Sequence, residues 1–259
     1  MIGGTYLFLV DVTERAVAAA ERLVGERFPA ATAAFLGGSV VRGGATATSD
    51  LDITVLRAEG EPYRESITYE GWPVELFVHT EESVRHYVAK DRAQRRPTMA
   101  RLVSEGRLLL DRDGSGSRLA AECAAVVAAG PDAQTAAERD LMRYLLTDLL
   151  DDLAGGGEPT LLGAVAVSTW QSAIELALAS AGRWSGTGKW LARELEALDA
   201  ATGSAYAARL HAGLRSALDG DVRPLVEVAE EILDGAGGRL WAGYRAGGET
   251  PTRVRRSGG

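Results

Sequence analysis

The chain has a single cysteine, Cys123, in 259 residues. That excludes an internal disulfide and a cysteine-rich zinc site, and a reducing, cytoplasmic setting is expected. Histidine is nearly as scarce: His79, His86 and His211 show no metal-ligand spacing. Positive charge is outnumbered, with 28 Lys and Arg against 36 Asp and Glu and a formal net charge of −8. A broad basic surface for nucleic acid is therefore not expected. No run approaches the ~18 apolar residues of a membrane span. The opening "MIGGTYLFLVDVTERA" has no basic flank before its apolar stretch, and Asp11 ends that stretch. Neither a secretory signal nor a membrane partner is expected. What is present is ordinary: 46% hydrophobic and 25% charged residues, enough to bury a core in one large or two ordinary domains.

Two halves differ in texture. Ala16, Val17, Ala20, Leu23 and Val24 recur at helical spacing over residues 13–27, with Thr13 as N-cap and Pro29 beyond the end. "TAAFLGG" reads as a short buried strand, and "LDITVLR" alternates as a second. "ESITYEGWPVELFVHT" reads as a hairpin turning at Glu70-Gly71. A helix follows Thr80, then a short strand "RLLLD" and a helix "GSRLAAECAAVVAAG". Beyond Gly130-Pro131 the strand signals vanish. One helix starts near Pro131 and stops at three glycines, an almost wholly apolar one follows, and three amphipathic ones complete the series. The expected organisation is α+β: a mixed sheet with flanking helices over 1–130, a helical bundle over 131–246, and a disordered tail over 247–259.

The chemistry concentrates in "LGGSVVRGGATATSDLDITV", Leu36 to Val55. Asp50 and Asp52 are i and i+2, so on a strand both point to one face, with α-carbons about 7 Å apart. Leu51, Ile53 and Val55 take the other face. Two like charges on one half-buried face repel, and a divalent cation such as Mg²⁺ resolves the conflict. Gly37, Gly38 and Ser39 end the preceding strand. Glycines let backbone N–H groups approach a phosphate, and the Ser39 hydroxyl adds a donor. A triphosphate between turn and metal would join the two features, which is the hardware of phosphoryl transfer.

Gly38-Ser39, ten intervening residues and Asp50-Leu51-Asp52, together with Arg42-Gly43 and Ser49, form a pattern. It resembles the signature "GSxxRG…SDLD" of the nucleotidyltransferase superfamily related to DNA polymerase beta. The resemblance covers roughly residues 31–80. It implies a nucleotidyltransferase-fold mixed sheet and a third carboxylate on an adjacent strand, which "WPVELFV" supplies as Glu75. It also implies that Asp50, Asp52 and Glu75 are catalytic and hold Mg²⁺, with Gly38, Ser39, Arg42 and Ser49 binding the nucleotide. Glu75 is either a metal ligand or the general base.

A catalytic domain followed by helices is most similar to the two-domain aminoglycoside and lincosamide nucleotidyltransferases. That likeness implies transfer of AMP from ATP to a hydroxyl of a small molecule, with release of pyrophosphate. In those enzymes the helical domain helps bind the acceptor, and a lysine of that domain often reaches the triphosphate. Lys189, after "SGTG" at a helix start, resembles it in context; a solvent-facing lysine is the other reading. Some members draw the base from the helical domain, and here Glu138, Asp140, Asp148, Asp151 and Asp152 are candidates. Asp140, Tyr144 and Asp148 share one helix face, suited to an aminocyclitol cation. Trp184 and Trp190 are assigned to packing, His79 to the border of the site and Cys123 to the core. Two other functions stand beside this one: a protein adenylyltransferase of antitoxin type, and a catalytically idle nucleotide-binding regulator. An antibiotic-resistance role and a biosynthetic role are equally open.

Overall fold

A computed structural model describes residues 3–43, 46 and 49–247, with side chains from Val12 onward. The tail expected to be disordered, from 248 on, lies outside the described residues. The chain divides into two compact units, Met1–Asp132 and Ala133–Gly259.

The first unit is a five-stranded mixed sheet with helices on both faces. In chain order its elements are α1 (Gly3–Arg27), β1 (Ala33–Leu36), α2 (Gly38–Val41), β2 (Leu51–Leu56), β3 (Tyr63–Tyr69) and β4 (Trp72–His79). There follow α3 (Glu81–Ala93), α4 (Thr98–Ser104), β5 (Arg107–Asp111) and α5 (Ser115–Ala129). The spatial order is β3-β4-β2-β1-β5. The chain leaves β2, runs down the edge as β3, and returns as β4 between them. β4 is therefore parallel to β2 and antiparallel to β3. This crossover puts two strands of one direction side by side, in a register that sets Asp52 opposite Glu75.

Alternation along these strands sorts the sheet into two faces. Leu51, Ile53, Val55, Val74, Leu76 and Val78 pack under Ala16, Ala20, Leu23 and Val24 of α1. Each valine, leucine and isoleucine among them contributes about 1.5–3 kcal/mol by leaving water. On the other face, Ala33, Phe35 and Leu56 lie under Val84, Met99, Val103, Leu119 and Cys123 of α3, α4 and α5. That cover extends over one part of the face; Asp52 and Glu75, on the same face, are only half-buried.

The hairpin turns where expected. Glu70 and Gly71 both have positive φ, 49° and 82°, as a two-residue turn of the strand-matching hand requires. Two helix starts differ from expectation. α1 begins at Gly3, so Thr13 lies inside it and is not its N-cap. The Thr13 hydroxyl instead donates to the carbonyl of Val40. The helix expected at Pro131 begins at Ala136, where Thr135 and Glu138 form a reciprocal capping box. That box satisfies two orphan N–H groups, which a proline at the first position does not. α4 was not anticipated.

The second unit holds α6 (Ala136–Gly155), α7 (Pro159–Ser180), α8 (Lys189–Thr202), α9 (Tyr206–Leu218) and α10 (Arg223–Gly235). Leu146, Leu150, Ile174, Leu176, Leu195, Leu210, Leu225 and Val228 meet in one core. α7 reaches the length and composition of a membrane-crossing helix, contrary to expectation. Part of it serves packing here: Ala166, Ala173, Ile174 and Leu176 lie in that core. After α10 the chain doubles back onto α6. Arg143 donates to the carbonyls of Gly237 and Gly238, Leu240 N–H donates to Thr147 Oγ1, and Tyr144 stacks with Trp241 and Tyr244.

Candidate active site

The glycine turn and the carboxylate strand touch. Gly37 N–H donates to the carbonyl of Asp52 at 2.7 Å, so the main chain leaving β1 is pinned to β2. Gly38 follows with φ +81°, and a Cβ there would lie 2.4 Å from Asp52 Oδ2. Only glycine meets both demands: the left-handed backbone and the close approach of the carboxylate. Gly37 is confined by α4 as well, since a Cβ would come within 2.9 Å of Leu102 Cδ2.

Asp50 lies immediately before β2, Asp52 is its second residue, and Glu75 is in mid-β4. One ligand oxygen from each falls within 4.8 Å of the others, and all three residues are half-buried. This is the grouping expected from the sequence. Three carboxylates that close repel one another, and an all-oxygen anionic set of this size suits a hard divalent cation.

Charge also comes from the neighbouring strand. Arg64 of β3 donates to Glu75 Oε1 and forms an ion pair with it, while its guanidinium lies over the Phe77 ring, 5.2 Å from the centroid. Nothing in the sequence alone marks Arg64. Once Glu70-Gly71 fixes the turn, Tyr69 opposes Trp72, Ser66 opposes Glu75 and Arg64 opposes Phe77. Arg64 is then diagonal to Glu75 on one face, a distance a long side chain spans.

The other expected nucleotide residues divide. Ser39 and Ser49 sit together, Oγ to Oγ at 2.9 Å, and Ser49 Oγ also accepts from Thr46 N–H. Their contact ties the turn to the residue before Asp50. Arg42, just past α2, lies 3.6 Å from Glu105, which Arg101 approaches to 3.3 Å from the preceding turn of α4. Lys189 belongs to the second unit, where it is the exposed first residue of α8 after the uncapped Gly188.

Of the acids on α6, Glu138 is engaged in the capping box, Asp140 pairs with Arg143, and Asp151 pairs with Arg239. The face shared by Asp140, Tyr144 and Asp148 is partly covered by the chain's own Trp241 and Tyr244. His79 lies off the site. It is buried, its Nδ1 is 3.0 Å from Ser83 Oγ, and its ring meets Tyr87 edge-on. Burial lowers its pKa, which keeps it neutral at pH 7. Burial likewise raises the Cys123 thiol to about 11, an inert core group.

A mixed sheet presses a glycine turn against three converging carboxylates, a group that could hold a metal ion. Residues 18–97, from α1 to just past α3, match the nucleotidyltransferase domain family. That match identifies a nucleotidyltransferase domain within the first unit. No curated protein matches the chain. Among solved structures it is similar to a nucleotidyltransferase-like protein from Exiguobacterium sibiricum 255-15, with 13% identity and a TM-score of 0.40, over 85% of this chain and 73% of that one.

Proposed function

We propose that the protein transfers a nucleoside monophosphate, AMP from ATP, to a hydroxyl of a small molecule and releases pyrophosphate. The observation that supports this most is the convergence of Asp50, Asp52 and Glu75 beside the Gly37-Gly38-Ser39 turn. Asp50, Asp52 and Glu75 would hold Mg²⁺, which when bound would neutralise phosphate charge and the charge developing on departing pyrophosphate. Gly37 and Gly38 leave the main chain bare where phosphate oxygens approach, and Ser39 turns its hydroxyl from Ser49 to them. Arg42 supplies a guanidinium at the same turn. The acceptor oxygen forms a bond to the α-phosphorus as the bond to the bridging oxygen of pyrophosphate breaks. The hydroxyl proton passes to a base that the metal does not hold.

Charge supports the choice of acceptor class. A net charge of −8 favours a cationic acceptor. Aminoglycoside-like amino sugars are cationic and rich in hydroxyls, so they fit both requirements. A role in antibiotic resistance and a role in making such a compound share this chemistry.

The test is to incubate the full chain with Mg²⁺, each of the four ribonucleoside triphosphates, and a panel of aminoglycosides and lincosamides, then weigh the products. One acceptor gaining a single nucleotidyl group is the expected result. Unmodified acceptors across the panel would overturn the acceptor class. Pyrophosphate never appearing with any acceptor, peptides included, would overturn the activity.

A further inference from the structure

We propose that Arg64 is the resident counter-cation of the carboxylate triad, that it yields Glu75 to the divalent ion, and that it thereby couples binding of the ion to binding of the nucleotide. This rests on the reading of Asp50, Asp52 and Glu75 as the metal-holding group.

Glu75 has two cross-strand neighbours on its face: Asp52 on one side, in register, and Ser66 on the other. Asp52 adds like charge and Ser66 adds none. Compensation reaches Glu75 from Arg64, two residues along β3, whose guanidinium pairs with it. The Arg64 side chain is 63% exposed and that of Glu75 24% exposed, so the arginine lies on the solvent side of the carboxylate. It can release the carboxylate while staying over Phe77.

A second contact gives it somewhere to stay. The guanidinium lies over Phe77, its own register partner, 5.2 Å from the ring centroid. When the Glu75 oxygens turn to a divalent ion, the ring still holds the guanidinium beside the site. A positive charge parked there disfavours a bare dication and favours a polyanion. The ion alone must therefore displace Arg64 and bind against its charge. The ion together with a triphosphate brings the negative charge that Arg64 then faces. Arg64 weakens the first event and strengthens the second, which is a coupling between two ligands.

Mn²⁺ binding to the full chain, followed by electron paramagnetic resonance with and without α,β-methylene-ATP, reads both events without turnover. Arg64→Ala should bind Mn²⁺ alone about threefold or more tightly than wild type, since an exposed ion pair and a nearby like charge are both removed. The same variant should lose most of the gain in Mn²⁺ affinity that the nucleotide analogue confers. Arg64→Lys should fall between the two, because a point charge replaces the planar fork over Phe77. In a Glu75→Gln background the effect of Arg64→Ala on bare Mn²⁺ should shrink, as a double-mutant cycle requires. Saturable Mn²⁺ binding that Asp52→Asn abolishes but Arg64→Ala leaves unchanged, or an Arg64 effect undiminished by Glu75→Gln, overturns this proposal alone. Absence of saturable Mn²⁺ binding in the wild type overturns the metal reading and this proposal with it.

Discussion

The acids of the two units do different things. In the helical unit, the acids nearest the helix starts are explained by the fold. Glu138 closes a capping box, and Glu158 accepts from Leu161 N–H at the start of α7. Asp199 gathers Ser204 Oγ and the N–H groups of Tyr206 and Ala207 before α9. Each accepts N–H groups that the first turn of a helix leaves without partners. In the first unit, Asp50, Asp52 and Glu75 converge on one another, like charges brought together, and only partly offset by Arg64 at Glu75. A charge that stabilises its own helix is architecture. A charge that works against its own strand points to a ligand.

That contrast can be broken or sharpened by substitution. The largest effect should come from Asp52→Asn, with Asp50→Asn close behind. Nucleotidyl transfer should fall by about 10³-fold or more, the scale seen when a group facing developing charge is removed. The melting temperature should hold or rise, because like-charge repulsion is relieved. Steady-state rates and thermal melts of the same samples check both halves, and loss of activity through unfolding would break the comparison.

Gly38→Ala should cost stability and activity together. The new Cβ meets Asp52 Oδ2 and must adopt φ near +81°, a strain of about 1–3 kcal/mol. Thermal melts and nucleotide titration measure it. Gly213→Ala is the counterpart in the helical unit, where a Cβ would lie 2.8 Å from the α-carbon of Leu225 and push α9 from α10. A loss of about 1–3 kcal/mol is expected. Hydrogen exchange on the full chain should rise in α9 and α10 while nucleotide affinity is kept.

Thr135→Ala removes half of the α6 capping box and should cost about 1 kcal/mol with transfer unchanged. The smallest effect is set by His79. Its folded pKa is below the ordinary 6.5, so the unfolded chain takes up a proton first on acidification. Its contribution is fully present above pH 6.5 and is lost as pH falls through the lowered folded value. His79→Gln should flatten the stability profile over that window in thermal melts taken at a series of pH values.

Much of this was legible because local rules and tertiary need agreed. Glu70-Gly71 is a turn that hairpin twist favours, and the register it sets carries Arg64 toward Glu75. The two aspartates were legible because their alternation with Leu51, Ile53 and Val55 put charge on one face of a strand otherwise bound for the core. The misses arose where two local signals competed or where a tertiary partner decided. Thr13 looks like a cap, yet its hydroxyl serves the carbonyl of Val40, 27 residues away. Pro131 competed with the Thr135–Glu138 box, and the box satisfies more donors. α4 is seven residues long, too short for periodicity to declare, and it is held by Met99, Ala100 and Val103 in the core. Arg64 was missed because its meaning depends on a neighbour strand.

Isotope tracing tests the central claim most directly. The full chain is incubated with Mg²⁺ and an accepted small-molecule hydroxyl, with ATP labelled at either the α- or the γ-phosphorus. The account predicts that α-label moves to the acceptor, that γ-label leaves as pyrophosphate, and that Asp52→Asn abolishes both. Transfer of γ-label to the acceptor, or α-label transfer that survives Asp52→Asn, would contradict it.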